Sequence, residues 1–210
     1  MKNKILALVI AFFGMATVNV AHATLVIDDF SNNTSTILST ISLKHETIIG
    51  LTGSDFSDSR LLTISTTSTA RGRASTRVKD GKLVISTGTN ISSDTTSSYS
   101  NIAGFDFTVL ESGKTLYQNA FVFSLLSIDQ LDDPTTGVGI TLKVDDISSY
   151  KFVNSISDVV FEHTLFGNLT DVNNIELLIH NFEAIDASFD SLVSYGGVLE
   201  TPSVNAVPLP

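Results

Sequence analysis

No cysteine occurs among the 210 residues. Thiol nucleophiles, thiolate metal sites and disulfides are excluded, so stability must come from core burial, hydrogen bonding or a bound cation. Tryptophan is absent as well, and the four tyrosines, Tyr99, Tyr117, Tyr150 and Tyr195, are the only polar-tipped rings on which a flat ligand could stack. Cations are scarce, 12 Lys and Arg against 22 Asp and Glu for a formal charge of −10. That balance argues against nucleic acid and anionic lipid as partners, since both require a positive face. Neither a G-x-S-x-G nor an H-E-x-x-H pattern occurs, so the motif-borne serine hydrolases and zinc proteases find no support.

The longest apolar run, Ile5 to Met15, follows Lys2 and Lys4 and ends in small residues at Ala21-His22-Ala23. This is the plan of a secretory leader, and cleavage is expected after Ala23. Gly14, Thr17 and Asn19 interrupt the run before it reaches the roughly 20 apolar residues a membrane span needs. Cleavage leaves 187 of the 210 residues, with ten cations against 22 acids and a formal charge of −12. A chain of that length forms one domain with a real core, expected over residues 24–195, and no membrane span is expected in it.

The rest is rich in Ser, Thr, Val, Ile and Phe, a mixture suited to pleated, half-buried surfaces. Strand-length pieces recur between turn residues: TLVIDDF, SRLLTIST, RGRASTRVKD, KLVIST, IAGFDFTVL, QNAFVFSLLSID, VGITLKVDD, SDVVFEHTL, NNIELLIHN and ASFDSLVSY. Asp80-Gly81 reads as a hairpin turn. In IAGFDFTVL, Phe105, Phe107 and Val109 alternate with Asp106 and Thr108. About ten strands and no amphipathic helix predict an all-β fold, an antiparallel β-sandwich of jelly-roll type. Ser/Thr runs such as SSDTTSSYS read as exposed strand faces and loops. Residues 196–210, with a Gly-Gly pair and three prolines, read as an extended linker.

Two constellations stand out. Arg71, Arg73, Arg77 and Lys79 are all odd-numbered, and side chains alternate along a strand, so the four project from one face. With Lys82, five of the ten mature cations fall within residues 71–82. Such a row suits the carboxylate, sulfate or phosphate groups of an acidic polysaccharide, and equally serves to keep an edge strand from pairing. The second constellation is acidic. Asp28 and Asp29 in the first strand and Asp186 and Asp190 in the last could meet in a jelly roll, and carboxylates at adjacent strand ends suit a structural Ca²⁺, with Asp29 and Asp190 as the leading ligands. Aspartates at turns also serve simply by accepting backbone N–H groups. The acidic loop of Asp129, Asp132 and Asp133 lacks the glycine and distal glutamate of a calcium hand. The mature histidines, His45, His163 and His180, stand in contexts where an ordinary hydrogen-bonded role is expected. No spacing selects the pair of facing carboxylates that a glycosidase needs. Sequons at Asn32, Asn90 and Asn168 are expected by chance in so Asn-, Ser- and Thr-rich a chain.

The closing AVPLP, Ala206 to Pro210, following a linker and a cysteine-free β domain, resembles the proline motif that opens the PEP-CTERM sorting signal, in its V-P-L-P form. That resemblance implies an exported surface protein of a Gram-negative bacterium that makes extracellular polysaccharide, processed by an exosortase. In the family a transmembrane helix and a basic cluster follow the motif, and neither follows Pro210 in this sequence. LVIDDFS and FDSLVSYGG are similar to the first and last strands of secreted jelly-roll domains related to carbohydrate-binding modules. The expected function is non-enzymatic association with extracellular polysaccharide or a cell-surface protein, with Arg71, Arg73, Arg77 and Lys79 as the contact. An aromatic-stacking carbohydrate or adhesion module is the alternative, and a polysaccharide-degrading enzyme the third.

Overall fold

The computed structural model describes residues 24–39, 43–66, 73–89, 91–109, 119–129, 137–182 and 184–195. The leader, Arg71, Tyr117, Asp132, Asp133 and the tail with its VPLP motif lie outside them. Thirteen strands are described: β1 (Thr24–Asp28), β2 (Ile37–Ser39), β3 (Lys44–Ile49), β4 (Ser59–Thr66), β5 (Ala74–Lys79), β6 (Lys82–Thr87), β7 (Ser93–Phe105), β8 (Ala120–Asp129), β9 (Val138–Val144), β10 (Ile147–Val153), β11 (Asp158–Glu162), β12 (Val172–Asn181) and β13 (Asp186–Tyr195). They form two antiparallel sheets. Sheet A runs β11-β8-β13-β6-β5-β2, with β1 also on β13, and sheet B runs β10-β9-β12-β7-β4-β3. The expected all-β sandwich of jelly-roll class is what the chain builds. Among the described residues no helix is long and apolar enough to cross a membrane.

Period-two alternation decides which side chains meet between the sheets. In β6, Leu83, Ile85 and Thr87 are buried while Lys82, Val84 and Ser86 are not; in β12, Ile175, Leu177 and Ile179 are buried between more open neighbours. Phe121, Phe123, Phe161 and Phe189 of sheet A have no exposed surface, and neither do Ile64, Leu142 and Leu177 of sheet B. Phe123 and Phe189 stack with ring centroids 4.5 Å apart. Each such side chain contributes about 1.5–3 kcal/mol on burial. β13 is the organising strand of sheet A: Asp186–Phe189 pair with β6, Leu192–Tyr195 pair with β1, and β8 lies along its other side. First and last strands are thus neighbours, as a jelly roll requires.

The turn at Asp80-Gly81 is present, with φ of 53° and 73°, the doubly left-handed geometry that a two-residue hairpin loop favours. Two expectations need correcting. The run IAGFDFTVL does not continue as a strand: β7 stops at Phe105, and Phe107–Val109 form a 3₁₀ turn. Asp106 stops it, because its Oδ1 accepts the backbone N–H (2.8 Å) and hydroxyl (2.5 Å) of Thr108, an alternative to ladder bonding. The run SSDTTSSYS is not a loop, and only its alternate residues Asp94, Thr96, Ser98 and Ser100 face outward. It is the body of β7, inside sheet B, with Ser93, Thr95, Ser97 and Tyr99 buried.

Candidate functional site

The registers of sheet B line up its outward side chains in rows across the strands. One row reads Phe152 (β10), Gly139 (β9), His180 (β12), Asp94 (β7), Ser65 (β4). The next reads Tyr150, Thr141, Leu178, Thr96, Thr63, and the third Ser148, Lys143, Glu176, Ser98, Leu61. Aromatic side chains therefore gather at the β10 edge of an otherwise hydroxyl-rich face. Tyr150 is 58% exposed, Phe152 45% and Phe182, just past β12, 37%.

Two glycines make this cluster possible. A Cβ on Gly139 would stand 2.8 Å from the Tyr150 ring, and one on Gly137 would stand 2.7 Å from the Phe152 ring and 2.5 Å from the Val153 carbonyl oxygen. Both rings thus lean diagonally over bare backbone, leaving their other surfaces to solvent. Glycine inside a strand weakens it, so the arrangement is held at a cost. Phe182 meets Phe152 edge-on at 5.9 Å and meets the His180 ring at 4.5 Å. His180 Nδ1 lies 2.5 Å from Asp94 Oδ1. With the carboxylate as acceptor, Nδ1 carries a proton.

Further along the same face a polar hollow of about 430 Å³ is lined by Lys143, Asp145, Asp146, Asn174, Glu176 and neighbouring residues. Asp145 fixes its floor by accepting the backbone N–H groups of Asn173 (3.0 Å) and Asn174 (2.9 Å). Ser100 Oγ donates to Asn174 Oδ1 (3.1 Å), and Ser98 Oγ reaches Glu176 at 3.4 Å. A face with exposed rings at one end and paired amides, hydroxyls and charges at the other can grip an amphiphilic ring compound by stacking and directional hydrogen bonds.

The residues singled out in the sequence fall elsewhere. Arg73, Arg77 and Lys79 do project outward and exposed from sheet A, while Ala74, Thr76 and Val78 are buried. β5 is not an edge, however, since β2 covers Ala74–Thr76. Asp29 Oδ1 accepts the Ser31 backbone N–H (2.8 Å), and Asp190 is exposed on sheet A. Among the described residues no three His, Asp or Glu side chains are grouped so as to hold a metal ion.

Asp28 and Tyr99 are absorbed into the core. Arg60, fully buried, donates through Nη1 to Asp28 Oδ2 (2.5 Å) and through Nη2 to the Asn32 carbonyl (2.7 Å), and lies 5.7 Å from the Phe30 ring centroid. The Tyr99 hydroxyl donates to the same Asp28 oxygen (2.9 Å), and the Phe30 N–H donates to the other (2.7 Å). Burial pushes the Asp28 pKa up, against the opposing pull of Arg60 and these hydrogen bonds. Burial first and the Asp28 charge second push the Tyr99 hydroxyl well above its usual range. His163 is also interior, beside Phe121 at 4.6 Å with Nε2 3.0 Å from Ser194 Oγ, and burial lowers its pKa to about 4.

Sequence reasoning missed Phe152 and Phe182 because it counted only the tyrosines as rings on which a ligand could stack. The available signal was the Gly137-x-Gly139 pair at the start of β9, bare backbone at alternate positions of a strand.

No family model matches the chain, and no curated protein matches it. Among solved structures it is similar to a family 11 carbohydrate-binding module from Clostridium thermocellum, in complex with a β-1,3-1,4-mixed-linked tetrasaccharide, at 10% identity and a TM-score of 0.36 over 85% of this chain and 98% of that one. It is also similar to the family 11 module of the cellulosomal cellulase Lic26A-Cel5E of the same organism, at 10% identity and a TM-score of 0.33 over 84% and 96%. Superpositions this loose assign no residue a role.

Proposed function

We propose that this is an exported, non-enzymatic glycan-binding domain whose contact surface is the outer face of sheet B. One observation carries the reading: two solvent-exposed rings, Tyr150 and Phe152, lean over Gly139 and Gly137, with exposed Phe182 edge-on to Phe152, on a face whose other outward residues are mostly hydroxyl, amide and charged side chains. An exposed apolar cluster rimmed by polar groups marks a ligand site. Sugar rings match it, with C–H faces for the aromatic side chains and hydroxyls for the rest. The leader and the VPLP motif support export to a polysaccharide-bearing surface.

The test is affinity electrophoresis of the full mature chain through gels containing neutral or acidic polysaccharides, at low and high salt. Tyr150→Ala and Phe182→Ala should each weaken retention on a neutral glycan about tenfold, equivalent to about 1.4 kcal/mol, with little effect of salt on the wild type. Melting temperatures within a few degrees of wild type certify the fold. Retention unchanged in both variants, or absent from every neutral polymer, overturns the reading.

A further inference from the structure

We propose that the cationic ridge of β5 and β6, on the opposite face of the sandwich, is a second and independent binding surface, for an acidic polysaccharide, so that the domain bridges two polymers. Eight Lys and Arg residues are described in this acid-rich chain, and four of them, Arg73, Arg77, Lys79 and Lys82, share the outward face of the β5–β6 hairpin, all exposed. Lys79 and Lys82 are register partners across the turn. Like charges placed directly opposite are destabilising in a sheet, and two consecutive strands here carry no compensating carboxylate between them.

The obvious internal partners do not consume these charges. Among the described residues the ridge makes one ion pair, Lys79 to its neighbour Asp80 at 4.0 Å, with both side chains more than half exposed, a geometry of little energetic value. Across the sheet the register runs from Ser75 to Ser86 to Asp186 to Asp129. The first carboxylate of that row, on β13, therefore stands two strands from the cations of β5, roughly 10 Å at the usual spacing. The result is a bare cationic strip, bordered by hydroxyls and then by acid. From Arg73 to Lys79 it extends about 20 Å along the strand, a length that suits a linear polyanion better than a small ion.

The two surfaces also differ in charge. Along the outer face of sheet B stand Asp94, next to the aromatic cluster, and Asp145, Asp146 and Glu176 around Lys143 in the hollow, which disfavours a polyanion there. The outward faces of the two sheets point away from each other, so two chains can be held at once without competing.

Full mature chain is applied to polygalacturonate and to a neutral glycan retained in the preceding test. Arg73→Ser, Arg77→Ser and Lys79→Ser combined should weaken polygalacturonate binding at least tenfold and reduce its salt sensitivity, leaving neutral-glycan binding unchanged. Tyr150→Ala should do the reverse. Beads carrying the neutral glycan should capture labelled polygalacturonate only through the wild-type chain. Polygalacturonate binding that survives the triple substitution, or no binding at all, overturns the proposal. Equal retention by vesicles rich in phosphatidylglycerol overturns the assignment to polysaccharide. If polygalacturonate binds through the ridge while no neutral glycan binds, the ridge stands as a site while the sheet B reading and the bridging both fall.

Discussion

Replacing Arg60 with methionine isolates what the buried charge network contributes. Methionine keeps much of the volume and apolar stem but removes both donors, the one to Asp28 and the one to the Asn32 carbonyl. Asp28 is 1% exposed, so it is left as a buried carboxylate holding only the Phe30 N–H and the Tyr99 hydroxyl. Breaking a buried pair from one side costs about 3–5 kcal/mol, a large share of the 5–15 kcal/mol that typically holds a domain together. The burial that already pushes the Asp28 pKa up then acts without the opposing pull of Arg60, against the Phe30 and Tyr99 hydrogen bonds alone. The sign follows from linkage: a carboxyl with a raised folded pKa binds its proton more tightly in the fold, so the Arg60→Met penalty is largest near neutral pH and shrinks as pH falls through that pKa. Asp28→Leu combined with Arg60→Met removes both charges and should recover most of the loss, because replacing a buried ion pair by apolar groups is often neutral. Urea unfolding of the four chains of this cycle, at pH 7 and pH 5, gives the coupling directly. A single-variant loss below about 1 kcal/mol, or a double variant no better than the worse single, refutes the account.

Other expectations concern separate parts of the molecule. His163 is neutral in the fold, with a pKa lowered to about 4; the unfolded chain binds the extra proton, so stability falls as pH drops from about 6.5 toward 4, by at most about 3 kcal/mol. His163→Gln should flatten that part of the urea-midpoint profile relative to wild type. Gly139→Ala places a methyl 2.8 Å from the Tyr150 ring and should cost neutral-glycan binding several-fold with little loss of thermal stability; unchanged binding would show that ring placement does not matter. Gly81→Val, at a φ of 73° with open space around it, should lower stability by about 1 kcal/mol or more through backbone strain, read as a shift in urea midpoint.

The sandwich was legible because alternation and turn residues act locally. Leu83, Ile85 and Thr87 facing in, and Asp80-Gly81 reversing the chain, follow from side-chain period and backbone sterics alone. Three strands escaped for physical reasons. β2 is three residues long, β3 exposes most of its side chains, and β10 follows β9 through Asp145-Asp146, a tight turn with no glycine to announce it. The outward throw of Arg73, Arg77 and Lys79 was equally readable. Pairing across sheets was not. Asp28 and Arg60 are separated by 32 residues, and only the fold reveals that one neutralises the other. The aromatic face depends on the register of β9, β10 and β12 together, which no single segment encodes.

The adjacency of β1 and β13 has a mechanical meaning. Thr24 pairs with Tyr195, so the described chain enters and leaves the sandwich at one pole. Tension applied between those two ends would peel β1 from β13 one bridge at a time, at low force. Tension applied between the segment after Tyr195 and a polymer held on sheet B would instead drag β13 lengthwise against β8 and β6, loading many hydrogen bonds together. The same domain would then give way easily to a pull on its two ends and resist a pull on its cargo.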